Sequence, residues 1–100
     1  MTRVRIGIED EHGSLKAEGH AEYAPMGQDI CCAGISTMIY ALAGYLTNAD
    51  DVEISAMEME PGRVLIEADG EIEQAFLMTY IGLQQLAEKF PENLEVFLYS

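Results

Sequence analysis

The chain has 100 residues, 49% of them apolar and 23% charged, which is ordinary for one globular domain, and we therefore expect a single domain over residues 1–100. Eighteen acidic residues against five basic ones give a formal net charge of -13, which argues against binding to nucleic acid or to an anionic membrane and favours a basic partner. The sequence shows no signal peptide, and no apolar run approaches the roughly 20 residues that a membrane span needs, so the predicted location is the cytoplasm.

The first half of the chain predicts a hairpin, a loop and a helix. Val4, Ile6 and Ile8 alternate with other residues as in a strand, and residues 15–19 predict the returning strand after a polar turn. Residues 20–28 lack a period and contain Pro and Gly, which predicts a mobile loop. Asp29 then opens a helix that runs to about residue 46, because apolar residues recur at the helical period at 31, 35, 38, 39, 42 and 46.

The second half predicts another hairpin, from about 52 to 68, with a possible phase change before Met57. Residues 69–71 are predicted to cap a second helix that stops before Pro91. Leu77, Met78 and Ile81 lie off the apolar stripe of that helix, which consists of Ile72, Phe76, Tyr80, Leu83, Leu86 and Phe90. The helix is therefore apolar over more than half of its circumference, so it is either sandwiched in the fold or offers a face to another copy. Residues 94–99 are apolar on both faces, which predicts a strand interior to the sheet.

The order of these elements is β-β-α-β-β-α-β. It predicts an α+β fold in which two helices pack on a mixed, mostly antiparallel sheet of about five strands.

Cys32 and His20 are the residues best suited to chemistry. Cys32 falls in the predicted first turn of the helix, where unpaired backbone N–H groups favour a thiolate and could serve as an oxyanion hole. His20 ends the preceding strand, and the predicted loop could bring its imidazole back over the start of the helix. The two side chains would form a pair in which His20 accepts the thiol proton and later protonates the leaving amine.

Four neighbouring residues leave alternatives open. Asp29 either caps the helix or orients His20. Ser36 lies four residues after Cys32 on the same helix face, where its hydroxyl either lines a pocket or bonds back to the carbonyl of residue 32. Tyr23 and Met26 either pack over the site or only anchor the loop.

The remaining histidine and cysteine, His12 and Cys31, are not predicted to take part in chemistry. Cys31 lies on the apolar helix stripe, which predicts a buried and unreactive thiol, and His12 lies among charged turn residues, which predicts a solvated ring. Two histidines and two cysteines are too few for an ordinary zinc site, so no metal or other cofactor is predicted. Adjacent cysteines bridge poorly, which makes a redox sensor the least favoured function.

The segment GHAEYA at 19–24, followed by GQDICCAGIS at 27–36, resembles the signature of a bacterial family of ribosomal-processing cysteine proteases called Prp. That signature reads G-H-A, a loop containing glycine, and then G-x-D-I-x-C-A-x-x-S. The resemblance implies that His20 is the catalytic base and Cys32 the nucleophile. It further implies that Asp29 and Ser36 assist, and that Gly27 lets the loop close over the substrate.

The resemblance also implies an activity and two partners. Members of the family trim a short N-terminal extension from a large-subunit ribosomal protein, cut after an aromatic residue, typically Phe, and are small homodimers. The expected partners are therefore a basic ribosomal protein precursor as substrate and a second copy of this chain. The competing interpretation is a non-catalytic acidic binding module, such as a ribosome-assembly factor that holds a basic tail without cutting it.

Overall fold

A computed structural model describes residues 1–19 and 26–99, with side chains described from residue 30 onward in the second range. Within these ranges the chain forms five strands and two helices, in the order β1 (Thr2–Glu9), β2 (His12–Glu18), α1 (Met26–Asn48), β3 (Val52–Glu60), β4 (Arg63–Gly70), α2 (Glu73–Lys89) and β5 (Leu94–Tyr99). The predicted order and the α+β class are confirmed.

The strands form one sheet in the order β3-β4-β2-β1-β5. Neighbouring strands are antiparallel except β1 and β5, which are parallel, so the sheet is mixed as predicted. The prediction that β5 is interior was wrong, because β5 is an edge strand. Its apolar residues do not mean that it is covered on both faces, because those of its second half, Phe97, Leu98 and Tyr99, are exposed.

The core lies between the two helices and one face of the sheet. On β1 and β2 the buried residues Val4, Ile6 and Leu15 alternate with exposed residues, because successive side chains on a strand point to opposite faces. Both helices bury their predicted stripes against this face. The buried helix residues are Cys31, Ile35, Ile39, Leu42, Ala43 and Leu46 on α1 and Phe76, Thr79 and Leu83 on α2.

The first hairpin turns more tightly than its polar sequence suggests, whereas the second turns at Pro61 and Gly62 as predicted. The β1–β2 turn is only Asp10 and Glu11, and Asp10 adopts the left-handed conformation (φ 52) that such a turn requires. The residues that follow, His12 to Ser14, therefore belong to β2. In β3 the pairing register shifts between Ile54 and Ala56, which confirms the predicted phase change.

Both helix starts differ from the prediction. Helix α1 begins at Met26, so Asp29 is already inside the helix and cannot be its N-cap. Helix α2 begins after Ile72, whose side chain makes no capping hydrogen bond, while residues 69 and 70 complete β4. The two causes differ: at α2 the predicted cap residues 69 and 70 pair in the sheet as the end of β4, whereas at α1 the helix simply extends three residues further toward the N-terminus than Asp29.

Helix α1 is also long and apolar enough to cross a membrane, by length and composition alone. The stretch Ile30–Asn48 has 19 residues, a mean hydropathy of 1.5 and no charged residue. The expectation that no segment approached this length was therefore wrong. About a third of this stretch is buried, as the stripe of α1 that packs on the sheet, and a core helix also passes the same test.

Replacement by alanine is expected to change stability differently at two glycines of α1. Gly44 is exposed, and a Cβ added there would meet nothing within 4 Å, so Gly44→Ala is expected to stabilise the protein by about 0.5–1 kcal/mol through helix propensity. Gly34→Ala is the control, because its Cβ would lie 2.9 Å from Leu86 Cδ2 and so cancel that gain. Urea unfolding measures both, and a Gly44→Ala protein no more stable than wild type would contradict the expectation.

Candidate active site

A cleft of about 300 Å³ opens between the N-terminal half of α1 and the ends of β2, β3 and β4. Cys32 and Ser36 line it one helical turn apart, and Tyr40 follows one turn further along α1. Across from them the cleft has an apolar wall and, at its rim, the β3–β4 turn. The lining residues outside the helix are Thr2, Ala17, Gly19, Met59, Glu60, Pro61, Gly62, Arg63 and Val64.

The two adjacent thiols differ in access. Both are free, but Cys31 is only 1% exposed whereas Cys32 is partly exposed and lines the cleft. Burial, and to a lesser degree the neighbouring Cys32, raises the pKa of the Cys31 thiol. The prediction that Cys31 is a buried residue of the helix stripe is confirmed, and a reagent or substrate in the cleft meets Cys32.

The position of Cys32 in the helix corrects one part of the sequence argument. Because α1 begins at Met26, Cys32 lies in the second helical turn and not in the first. The favourable field of a helix N-terminus falls off within the first turn, and the unpaired N–H groups belong to residues 26–29. The helix terminus therefore contributes less to thiolate formation than expected, and a separate base becomes more important.

The structure places some of the predicted site residues and not others. Cys32 and Ser36 share the cleft. His20, Tyr23 and the rest of 20–25 lie outside the described residues, so the predicted loop is not tested there. Met26, Gly27 and Asp29 have helical backbone, so the last three residues of the loop predicted over 20–28 belong to α1 instead.

Thr37, and not Ser36, makes the side-chain hydrogen bond to the carbonyl of the preceding helical turn. Thr37 Oγ1 donates to the Ala33 carbonyl oxygen at 2.8 Å. Ser36 is exposed and lines the cleft, which agrees with the interpretation that its hydroxyl faces the site.

The wall of the cleft that faces the helix has no signal in the sequence. Met59, Arg63 and Val64 come from the second hairpin and reach the cleft because β4 pairs with β2, with Arg63 opposite Glu18. No pattern in the sequence indicates this pairing. Tyr40 is different, since its spacing of four from Ser36 already placed it on the same face of α1.

A second polar cluster lies at the opposite end of the hairpins, around His12. Its Nδ1 is 2.8 Å from Asp69 Oδ1 and its Nε2 is 3.5 Å from Glu67 Oε1, so the ring is paired and not merely solvated. The hydrogen bond with Asp69 raises the pKa of His12 above its ordinary value of 6.5. Among the described residues, no group of three or more His, Cys, Asp or Glu side chains is arranged to hold a metal ion.

This pairing predicts a small pH dependence of stability. A raised pKa in the folded state means that the contribution of His12 is fully present below 6.5 and is lost as the pH rises through the folded value. We therefore expect the urea midpoint of wild type to exceed that of His12→Gln at about pH 5.5, and the difference to shrink by about pH 8.5. The effect is modest because the His12 side chain is 44% exposed. A difference that grows with pH would be the wrong sign.

The sequence is similar to those of known proteins over most of its length. The sequence model of one family, described as cysteine protease Prp, matches residues 1–95. The chain belongs to the cysteine protease Prp family. A ribosomal processing cysteine protease Prp of Mycoplasma pneumoniae is 32% identical over 88 residues, which cover 87% of this chain and 88% of that protein. The Prp of Mycoplasma genitalium is 28% identical over 93 residues, covering 91% and 93%.

Solved structures share the fold of this Prp-family chain. The crystal structure of Prp from S. aureus with a covalently linked product peptide superposes with a TM-score of 0.78 at 24% identity, covering 98% of this chain and 99% of that chain. A protein from Streptococcus mutans gives 0.74 at 24% identity, covering 99% and 94%. The family assignment confirms the resemblance and the enzyme class, cysteine protease, while the roles of individual residues remain predictions.

Proposed function

We propose that this Prp-family protease acts in the cytoplasm, where it removes a short N-terminal extension from a large-subunit ribosomal protein by cutting after an aromatic residue. The observation that carries the proposal is the cleft in which the partly exposed Cys32 thiol lies beside an apolar wall. The S. aureus Prp structures with a substrate peptide and with a covalently linked product peptide support it, as do curated relatives named ribosomal processing cysteine proteases.

The proposed chemistry uses a Cys32–His20 dyad. The imidazole of His20 accepts the thiol proton, and Cys32 Sγ attacks the carbonyl carbon of the scissile peptide bond. The C–N bond then breaks, the imidazolium gives its proton to the leaving amine, and a thioester on Cys32 remains. Water attacks the thioester carbonyl carbon while His20 accepts one of its protons. The C–S bond then breaks, which releases the carboxylic acid, and the imidazolium returns its proton to Sγ, which restores the thiol and the neutral imidazole.

The shape of the cleft supports an aromatic residue before the cut. Ile35 and Ile39 lie about one and two helical turns after Cys32 on α1, Met59 of β3 lines the same cleft, and the volume is about 300 Å³. Burying an aromatic ring against such side chains is favourable because it removes a large apolar surface from water. Methionine adapts its shape to a ring and makes a favourable sulfur–aromatic contact.

The charge of the chain supports a basic substrate. Ribosomal proteins bind RNA and are therefore commonly basic, and the formal net charge of this chain is -13. Among the described residues, the cleft itself is lined by one acidic and one basic residue, Glu60 and Arg63, so this support comes from the charge of the whole chain. Opposite charges accelerate encounter, so the precursor is expected to be cleaved more slowly as salt is raised.

The function is tested by incubating the protein with a precursor ribosomal protein that carries its extension and recording intact masses. One cut after an aromatic residue is expected, and a precursor with that aromatic changed to alanine is the matched control, expected to be cleaved much more slowly. Precursor that stays whole while still binding the protein would instead establish the non-catalytic binding module.

We also propose that the protease is a homodimer that pairs through α2. Support comes from the exposed apolar residues Leu77 (39%), Met78 (67%) and Ile81 (47%) on its outer face. Light scattering on wild type should give twice the chain mass. A double variant, Met78→Glu with Ile81→Glu, should be monomeric, whereas Tyr45→Glu on α1 should stay dimeric. A monomeric wild type would refute the proposal.

A further inference from the structure

The chain repeats one arrangement twice, a hairpin followed by a helix: β1-β2-α1 and β3-β4-α2. The two halves meet where β2 and β4 pair antiparallel in the middle of the sheet. A glycine with positive φ stands at the end of the second strand of each hairpin, Gly19 (φ 99) after β2 and Gly70 (φ 116) at the end of β4. The repeat therefore gives the two glycines equivalent places at opposite ends of the sheet.

Each glycine is tied to the turn of the other hairpin. The Gly19 N–H donates to the Gly62 carbonyl oxygen at 3.0 Å, and the Gly70 N–H donates to the Glu11 carbonyl oxygen at 2.7 Å. The backbone is also closely packed at both places. A Cβ on Gly19 would overlap the Met1 carbonyl oxygen, and a Cβ on Gly70 would overlap the Asp51 carbonyl oxygen. A side chain is thus excluded at both positions, by conformation and by space.

The surroundings of the two glycines differ. Gly19 and Gly62 both line the cleft that contains Cys32, and the residue after Gly19 is His20. Gly70 lies near His12 and Asp69, and the chain enters α2 three residues later. The same hydrogen bond between a glycine and the turn of the other hairpin therefore borders the cleft at one end of the sheet and lies away from it at the other.

We propose that the β3–β4 turn is a positioning element of the active site, in which the Gly62 carbonyl holds the Gly19 N–H and so fixes the residue that directly precedes the catalytic base. This inference rests on the proposed function, because it takes His20 as the base. Anchoring Gly19 limits the directions in which the chain can leave β2, which reduces the conformational search of the imidazole for the Cys32 thiol. Gly19 and Gly62 are positioning residues, since neither supplies a reacting group.

The equivalence of the two glycines supplies the control. Gly19→Ala and Gly70→Ala are expected to lower the thermal midpoint by similar amounts, because each places a Cβ at positive φ against a carbonyl oxygen. Below both unfolding transitions, Gly19→Ala is expected to lose about 10- to 100-fold in kcat/KM for precursor cleavage. Gly70→Ala should stay within about twofold of wild type, since it bears no relation to the cleft.

A second readout separates positioning from general damage. The rate of Cys32 alkylation by iodoacetamide reports its thiolate as a function of pH. The profile of Gly19→Ala should move toward that of His20→Ala, while the profile of Gly70→Ala should follow wild type. If Gly19→Ala does not fold, backbone esters at 19 and at 70, made by chemical synthesis, remove each N–H donor without adding atoms, and the same contrast is expected.

The outcomes distinguish the inference from the proposed function. An inactive wild type, or a His20→Ala variant as active as wild type, would overturn the proposed function. If wild type cleaves and His20→Ala does not, but the Gly19 variants match the Gly70 variants in kcat/KM and in alkylation profile, the positioning role alone is overturned.

Discussion

Replacing Cys32 with alanine is expected to reduce precursor cleavage to the uncatalysed background, a loss of at least about 10³-fold. The variant keeps the cleft but removes the atom that would form the thioester, and none of the other described residues that line the cleft carries a thiol to replace it. Ser36 lines the same cleft one turn away, but a hydroxyl is a far weaker nucleophile than a thiolate near neutral pH. Intact-mass kinetics on the precursor, with wild type run in parallel, measure the loss.

Cys31→Ala is the matched control, since it removes the adjacent thiol. Cys31 is 1% exposed and burial raises its pKa, so it is neither accessible nor readily ionised. We expect this variant to keep cleavage within a few-fold of wild type and to lose some stability through a small cavity. Cleavage that survives in Cys32→Ala, or that disappears in Cys31→Ala, would show that Cys32 is not the nucleophile.

Replacing Phe76 with alanine is expected to lower the free energy of unfolding by about 3–5 kcal/mol. Phe76 is fully buried on the inner face of α2, and its ring lies directly on the β2 backbone at Gly13, where an added Cβ would stand 2.6 Å from Phe76 Cδ2. The absent side chain of Gly13 leaves the room that the ring fills. Since a domain of this size is stable by only about 5–15 kcal/mol, the loss brings it close to unfolding.

The control for Phe76 is its near neighbour Met78, which is 67% exposed on the same helix. Met78→Ala removes a side chain of comparable length but is expected to change the unfolding free energy of the chain by no more than about 0.5 kcal/mol, in urea at a concentration where both proteins are monomeric. A Phe76→Ala loss below about 1.5 kcal/mol would show that the core collapses around the missing ring.

Periodicity in the sequence predicts which face of each helix is buried. The apolar stripe read over α1 places Cys31, Ile35 and Ile39 in the core, and each is buried. The stripe over α2 likewise leaves Leu77, Met78 and Ile81 outside, and each is exposed. Burial follows the 3.6-residue period because it is a local consequence of helix geometry. The helix ends were placed less well, since their backbone partners lie elsewhere in the chain.

The cleft at Cys32 shows what local periodicity does not predict. The local motif indicates Cys32 and its neighbours on α1, which share a face because of their spacing along one helix. The opposite wall, with Met59, Arg63 and Val64, follows only from the pairing of β4 with β2. Pairing partners are separated by 45 to 57 residues in sequence, and alternation along a strand indicates its buried face but not its neighbour.

Sequence alone determined the order and type of the elements, the buried face of each helix, the family resemblance and the single accessible-thiol candidate, because these depend on contacts within a few residues or on a contiguous motif. Tertiary structure decided that β5 is an edge, that Cys32 lies in the second turn of α1, and that Gly62 meets Gly19 beside the cleft. These depend on which distant segments pair, and that choice is made by the free energy of the whole chain rather than by any local pattern.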